Sequence, residues 1–221
     1  HELRTPLAAI KVYAQSLYPE DQRTEQIQLK IVAGIDKLSH LFNQLLTLSK
    51  IEADQQNPHS LESVGDKERS PVGLHELVRQ QLLPLAAPIA EKQLQVSNDI
   101  AADLRCVCSE NAMTIVLRNL IDNAVRYSER NGVIRITAVT EEQAVLIAVM
   151  DTGPGLDKQQ KQRVFERFYR VAAQHTSGCG LGLSIVKEIV ERQHYTIALR
   201  DSPLAEHGLC VELRVPHEPI Q

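Results

Sequence analysis

Residues 109–127 read SENAMTIVLRNLIDNAVRY and predict an amphipathic helix with Ser109 as its N-terminal cap. The apolar side chains that recur at helical spacing on one face are Met113, Leu117, Leu120, Ile121 and Ala124. The side chains that gather on roughly the opposite side are Asn119, Asn123, Arg126 and Tyr127. Amide oxygens suit Mg²⁺, a guanidinium can meet phosphate and an aromatic ring can cover a base. This polar face is therefore a candidate site for a magnesium-bound nucleotide, and an ordinary solvent-facing helix surface is the alternative.

Strands and helices are predicted on both sides of this segment. Upstream, Leu74–Lys92 is expected to be helical, although Pro84 and Pro88 should kink or divide it. The other predicted elements are strands at Leu94–Ile100, Leu104–Cys108, Val133–Val139, Ala144–Met150, Tyr195–Leu199 and Leu209–Val215, and a helix at Ser184–Gln193. This order of strands and helices indicates an α/β sandwich.

A carboxylate follows directly after the apolar run Ala144–Met150, where residues 151–155 read DTGPG. A carboxylate at the end of a buried strand is costly unless a hydrogen-bond donor meets it, and the exocyclic amine of a purine is such a donor. Gly153 and Gly155 would let the backbone approach a flat ligand closely. The alternative for this motif is a plain acidic Gly-Pro turn.

A glycine-rich turn, Gly178–Leu183, leads into the predicted helix at Ser184 and would offer backbone N–H groups to phosphate. It lacks the Lys-Ser/Thr of a Walker A loop, and its glycine spacing misses the dinucleotide fingerprint. Between the two glycine clusters, residues 165–170 read FERFYR, which suggests a mobile lid with apolar anchors and cations. A surface helix is the competing interpretation.

The first fifty-odd residues predict two helices separated by a turn at Tyr18–Asp21. The apolar positions at heptad-like spacing are Leu3, Leu7, Ile10, Ala14 and Leu17 in the first helix, and Ile31, Ile35, Leu38, Phe42 and Leu45 in the second. The second stripe is wider than one partner helix needs, which favours a hairpin that pairs with a second copy as a four-helix bundle. Packing of the hairpin on the rest of the same chain is the alternative. Residues 55–69 have the composition of a linker, so the predicted units are 1–54, 55–69 and 70–221.

Composition bounds the possible functions. The 221 residues are 43% hydrophobic and 24% charged, which is enough to bury a core, and the net charge of −4 argues against nucleic acid as a direct partner. No apolar run is long enough to span a bilayer. The four cysteines, at positions 106, 108, 179 and 210, fit no disulfide framework and favour a reduced, cytosolic environment. Because His1 starts the chain within a helical pattern and without an initiator methionine, we expect a piece of a longer protein.

In this order, the motifs resemble the cytoplasmic core of the bacterial sensor histidine kinases, the transmitter half of two-component systems. His1–Leu7 (HELRTPL) resembles the H box of that family, and residues 119–128 (NLIDNAVRYS) resemble its N box. Asp151–Gly155, Phe165–Phe168 and Gly178–Leu183 resemble its remaining boxes. The likeness covers essentially the whole chain, apart from the linker and the last few residues.

The resemblance implies an α+β chain: a helical hairpin that forms a dimeric four-helix bundle, followed by an α/β sandwich ATP-binding domain of the gyrase and MutL type. His1 would be the nucleophile that attacks the γ-phosphate of ATP, and Glu2 would accept the proton from the other ring nitrogen. Thr5, one helical turn further on, would serve a second activity, the dephosphorylation of the partner response regulator.

The resemblance also assigns roles in ATP binding. Asp151 is expected to hold the adenine amine, with Tyr127 near the base, and Arg170 is expected to reach the γ-phosphate. Asn119 and Asn123 are expected at Mg²⁺ and the phosphates, with Arg126 close by. The other residues expected to contribute are Gly153, Gly155, Phe168, Gly178, Gly180, Leu181 and Gly182.

The implied cofactors are ATP and Mg²⁺, and the implied partners are a second copy of the chain and the receiver domain of a cognate response regulator. The chain would be the cytoplasmic portion of a bacterial inner-membrane protein, connected to the membrane only through upstream segments. Two rival functions remain: an ATPase of the same fold that drives movement, and a non-catalytic dimer or signalling scaffold.

Overall fold

The structure is a computed structural model that describes residues 69–171 and 180–217, together with helical residues at 10, 12–14, 24–28, 30–32, 34–35, 38, 42, 46 and 49. At those N-terminal positions the predicted helices are confirmed. The predictions for His1, Glu2, Thr5, the turn at Tyr18–Asp21, the linker up to residue 68 and Gly178 lie outside the described residues.

A mixed five-stranded sheet forms one layer of the described part. The strands of this part are β1 Ser70–Gly73, β2 Gln95–Asn98, β3 Arg105–Cys108, β4 Val133–Thr140, β5 Ala144–Asp151, β6 Thr196–Asp201 and β7 Leu209–Pro216. The strand order in the five-stranded sheet is β2-β4-β5-β7-β6. Strands β2 and β4 are parallel, and the other neighbours in this sheet are antiparallel. Strand β1 pairs with β3 in a separate antiparallel ribbon.

Helices form the second layer. They are α1 Leu74–Leu82, α2 Ala86–Glu91, α3 Glu110–Tyr127, α4 Lys158–Arg163 and α5 Gly182–Arg192, with a 3₁₀ turn at Leu83–Leu85 between α1 and α2. The predicted division of Leu74–Lys92 is confirmed: Pro84 lies in the 3₁₀ turn, and Pro88 lies in the first turn of α2, where its missing N–H is tolerated. Strand β1 and helix α4 were not predicted.

The core lies between the sheet and helices α3 and α5. Its largest fully buried side chains include Met113, Leu117 and Ile121 from α3, Ile185 and Ile189 from α5, and Ile134, Ile136, Ile147 and Leu213 from the sheet. The whole predicted apolar face of α3 is buried, and the Ser109 hydroxyl accepts a hydrogen bond from the N–H of Ala112 at its N-terminus. The predicted α/β sandwich is therefore confirmed. None of the helices within the described ranges combines the length and apolarity needed to span a bilayer.

Candidate functional site

A pocket opens where the C-terminal half of α3 meets the end of β5. The residues predicted to bind nucleotide that line it are Asn123, Arg126, Tyr127, Asp151, Gly155, Arg170, Gly180 and Gly182. Four sequence motifs far apart in the chain therefore converge on one cavity. Apolar side chains complete its walls, among them Leu120, Val149, Leu209 and Val211.

Four predicted residues lie outside the pocket wall. Asn119 lies one turn before Asn123, and its Nδ2 donates a hydrogen bond to the carbonyl of Ile115 at 2.8 Å. Leu181 is fully buried in the core, and Phe168 is 63% exposed. Gly153 acts through its backbone, since its N–H donates a hydrogen bond to Asp151 Oδ1.

Asp151 is the last residue of β5 and is 6% exposed. Its Oδ1 accepts hydrogen bonds from the backbone N–H groups of Gly153 at 2.8 Å and Leu209 at 3.2 Å. Burial raises the pKa of this carboxyl group, and the two backbone donors act in the opposite direction. The pocket therefore contains a buried carboxylate that is oriented by the backbone.

The turn after Asp151 packs tightly against the end of α3. A Cβ atom added at Gly153 would lie 2.9 Å from the carbonyl oxygen of Tyr127 and 3.0 Å from Asp151 Oδ1. Glycine is therefore required here for close approach, which couples the position of the carboxylate to that of the helix end.

Arg126 forms an ion pair within α3. Its Nη2 lies 2.7 Å from Oδ2 of Asp122, one helical turn earlier, and both side chains are largely buried. The pair holds the guanidinium beside the pocket. Sequence reasoning missed Asp122, although its i, i+4 spacing from Arg126 was a visible signal.

Residues 165–168 form turns and a bend, and residues 169–170 have irregular structure, so the surface-helix alternative is wrong for this segment. The N–H of Phe168 donates to the carbonyl of Gly180 at 2.9 Å, which brings these two residues together in space. The guanidinium carbon of Arg163 lies 4.4 Å from the centre of the Tyr169 ring, and Tyr169 lines the pocket. The mobility expected of this segment stays a prediction.

Two family models match the chain. Residues 108–219, about half of the chain, match the family model described as histidine kinase-, DNA gyrase B-, and HSP90-like ATPase. The α/β sandwich therefore belongs to this class of ATPases. Residues 1–54 match the model of the His Kinase A (phospho-acceptor) domain. The chain belongs to the sensor histidine kinases of bacterial two-component systems.

Individual relatives agree with the family models. Sensor protein QseC of Salmonella typhi is 33% identical over 212 residues, which are 94% of this chain and 44% of that protein. The chain spans less than half the length of the first curated relatives that it matches.

Solved structures share the fold. The catalytic domain of histidine kinase ThkA aligns with a TM-score of 0.61 at 26% identity over 69% of this chain and 100% of that domain. Full-length ShkA, solved in complex with AMPPNP, aligns with a TM-score of 0.72 over 98% of this chain and 44% of that chain. The identity to ShkA is 22%, and this likeness concerns the fold alone.

Proposed function

We propose that the chain phosphorylates itself on His1 with ATP and passes the phosphoryl group to an aspartate of a response regulator receiver domain. In this proposal residues 1–54 form the dimerising phosphotransfer hairpin, 55–69 the linker and 70–221 the ATP-binding catalytic domain. The observation that carries it is the convergence of Asn123, Arg126, Tyr127 and Asp151 on one pocket, in a chain whose N-terminus matches a phospho-acceptor domain.

The base of the nucleotide would lie against Asp151. Because both backbone donors bond to Oδ1, Oδ2 is the oxygen left to accept the exocyclic amine of adenine. The apolar wall formed by Leu120, Val149 and Leu209 suits the faces of a flat ring, and Tyr127 lines the same cavity. Gly153 acts indirectly, by holding the carboxylate.

The two asparagine side chains on α3 carry amide oxygens that suit a magnesium ion. Asn123 lines the pocket, and Asn119 commits its Nδ2 to a helix carbonyl, so that its Oδ1 is the atom available to a cation. Within the described ranges no group of three or more His, Cys, Asp or Glu side chains could hold a metal, so the nucleotide phosphates would complete the coordination. When bound, Mg²⁺ neutralises charge on the phosphates.

The two arginines of the pocket would bind the phosphates. Arg126 Nη2 lies 2.7 Å from Asp122 Oδ2, which holds the guanidinium beside the cavity, and Arg170 also lines this cavity. Phosphoryl transfer depends chiefly on positioning and charge stabilisation, and guanidinium groups supply both. Gly155 would let the backbone approach the base closely, and the residues that would shape the phosphate side of the cavity are Phe168, Gly178, Gly180, Leu181 and Gly182.

His1 would act as the nucleophile in its neutral form, which is well populated near neutral pH. One imidazole nitrogen forms the N–P bond as the bond from the γ-phosphorus to ADP breaks, and Glu2 accepts the proton from the other nitrogen. Pro6 cannot donate a hydrogen bond to the carbonyl of Glu2, so the helix should bend beside His1.

Exposed apolar side chains support dimerisation of the hairpin. Ile31 is 43% exposed and Leu38 is 55% exposed, and Ile10 and Ile27 are also exposed. A second copy of the hairpin would cover them as a four-helix bundle. Analytical ultracentrifugation of the chain tests this point, with a dimer expected.

Incubation with γ-labelled ATP and Mg²⁺ tests the proposed function against its rivals. A kinase retains label on the chain, whereas an ATPase that drives movement releases it as inorganic phosphate. A scaffold would neither bind nor turn over the nucleotide. Label that then leaves the chain for a receiver domain would support the phosphotransfer step.

Gly180→Ala is expected to weaken nucleotide binding at least tenfold. Gly180 has φ +72°, a conformation that costs an alanine about 1–2 kcal/mol, and the new Cβ would lie 2.7 Å from both the Phe168 carbonyl carbon and the Tyr169 carbonyl oxygen. The added Cβ would push Gly180 away from the backbone of Phe168 and Tyr169, beside the pocket. Titration with a fluorescent ATP analogue measures the effect.

The matched control for this substitution is Gly34→Ala, because a Cβ added at Gly34 meets no atom within 4 Å. The control should bind nucleotide like the parent chain. Equal affinities of Gly180→Ala and the parent would contradict the role assigned to this turn.

Thr5→Ala is expected to lose response regulator phosphatase activity and to keep kinase activity. The hydroxyl is predicted one helical turn from His1, where it can orient the water that attacks the aspartyl phosphate. Both activities can be measured with the same receiver domain. Equal dephosphorylation rates for variant and parent would remove Thr5 from the proposal.

A further inference from the structure

Lys92 directly follows α2, and its ammonium group lies against the C-terminal end of α3. Its Nζ donates hydrogen bonds to three backbone carbonyls: Val125 at 2.9 Å, Arg126 at 2.7 Å and Ser128 at 2.9 Å. An ammonium group has three N–H donors, so these carbonyls use all of them. Val125 and Arg126 lie in the last turn of α3, where the carbonyls lack partners within the helix, and Ser128 directly follows that turn. The positive charge also matches the negative end of the helix dipole.

We propose that Lys92 is a positioning residue for nucleotide binding, because it fixes the turn of α3 from which Arg126 and Tyr127 reach the pocket. The inference rests on the proposed function of that pocket. The same turn contacts the segment after Asp151, where the Tyr127 carbonyl oxygen leaves no room for a Cβ on Gly153. A shift of the helix end would therefore disturb the guanidinium, the aromatic ring and the carboxylate together.

Backbone hydrogen bonds hold the segment that contains Lys92 next to the segment that follows α3. The N–H of Asn131 donates to the carbonyl of Lys92 at 2.9 Å, and the N–H of Gln95 donates to the carbonyl of Gly132 at 2.9 Å. These bonds join the segment before β2 to the segment after α3. The side chain of Lys92 adds the direct connection from this junction to the helix itself.

A lysine is required by the geometry of the acceptors. Three carbonyls converge on one point, which suits a compact ammonium group, whereas the planar fork of arginine cannot direct its donors in this way. Partial burial lowers the pKa of Lys92, while the neighbouring Glu91 raises it. The three carbonyls compensate the desolvated charge.

Loss of this group should not unfold the domain. The apolar face of α3, including Leu117, Ile121 and Ala124, is anchored in the core by other elements. Only the last turn depends on Lys92. The expected defect is therefore in nucleotide binding rather than in the chemical step.

Lys92→Met, Lys92→Arg and the control Lys187→Met test this inference. Lys187 lies on α5, and its half-exposed side chain places Nζ 3.8 Å from Oε1 of Glu191. It does not line the pocket. We expect Lys92→Met to raise the Kd of a fluorescent ATP analogue and the KM for ATP about tenfold, with kcat within about twofold of the parent. Lys92→Arg should recover part of the loss, and Lys187→Met should match the parent.

Each outcome has one meaning. A Kd and KM of Lys92→Met equal to those of the parent, or a fall in kcat at constant KM, would overturn the inference and leave the proposed function intact. If circular dichroism shows that Lys92→Met is unfolded, Lys92→Arg decides, and an unchanged KM for that variant overturns the inference. Failure of the parent chain to bind the analogue would contradict the proposed function and this inference together.

Discussion

Asp151→Asn is expected to reduce nucleotide affinity at least about 100-fold, since a hydrogen bond to a charged group contributes about 1.5–3 kcal/mol and the new amide would also direct N–H donors at the adenine amine. The Asn oxygen can still accept the backbone N–H groups of Gly153 and Leu209, so the backbone should keep its conformation. Titration with the fluorescent ATP analogue measures the loss.

The same variant should be at least as stable as the parent at neutral pH. Burial of the Asp151 carboxyl raises its pKa, and this effect outweighs the two backbone donors. The folded chain therefore holds this proton to a higher pH than the unfolded chain does. At a pH between the pKa of this carboxyl in the unfolded chain and its higher pKa in the folded chain, the native state binds more protons than the unfolded state. The free energy of unfolding of the parent therefore falls as the pH rises through this range.

Thermal unfolding at an acidic and at a neutral pH tests the predicted direction of the pH dependence of stability. The Tm of Asp151→Asn minus that of the parent should increase from acidic to neutral pH.

Asp201→Asn is the matched control, since the Asp201 side chain is 84% exposed and pairs with Lys161 on the surface. The control should bind nucleotide normally. Normal binding by Asp151→Asn would remove the carboxylate from the adenine site.

His1→Gln is expected to abolish phosphorylation of the chain and to leave nucleotide affinity unchanged. Glutamine has no imidazole nitrogen to form the N–P bond, whereas the pocket-lining residues that the structure describes all lie between 120 and 211. Label retention and analogue titration separate the two effects. His207→Gln, at an exposed position outside the pocket wall, is the control and should label like the parent.

Much of the fold could be predicted because its signals are local. Helix α3 carries a capping serine, a clear apolar face and an end at Tyr127, and each was visible in the sequence. Strand β5 is a continuous apolar run that ends in Asp151. These elements rest on short-range patterns that tertiary contacts did not override.

The missed elements lack such patterns. Strand β1 contains Pro71 and Gly73, and it exists because Val72 pairs with Cys106, more than thirty residues later. Helix α4 reads KQQKQR and has no apolar period. Its one visible signal was the capping box of Asp157 and Gln160.

The candidate site likewise combines residues that carry a local sequence signal with contacts that depend on the tertiary structure. The spacing of the motif residues on α3 and at the end of β5 marked them as candidates, and the family resemblance supplied their expected roles. The Leu209 N–H group that holds Asp151 comes from β7, and it depends on the antiparallel register in which Met150 pairs with Cys210. Lys92 reaches carbonyls 33–36 residues away and carries no motif at all.

The proposed function depends on transfer of the γ-phosphoryl group of ATP to His1. The most direct test incubates the purified chain with γ-labelled ATP and Mg²⁺ and then treats the product with acid and with alkali. A phosphohistidine gives label that is lost in acid, is stable in alkali and is missing from His1→Gln. Label that survives acid, or that persists at full level in His1→Gln, would contradict the account.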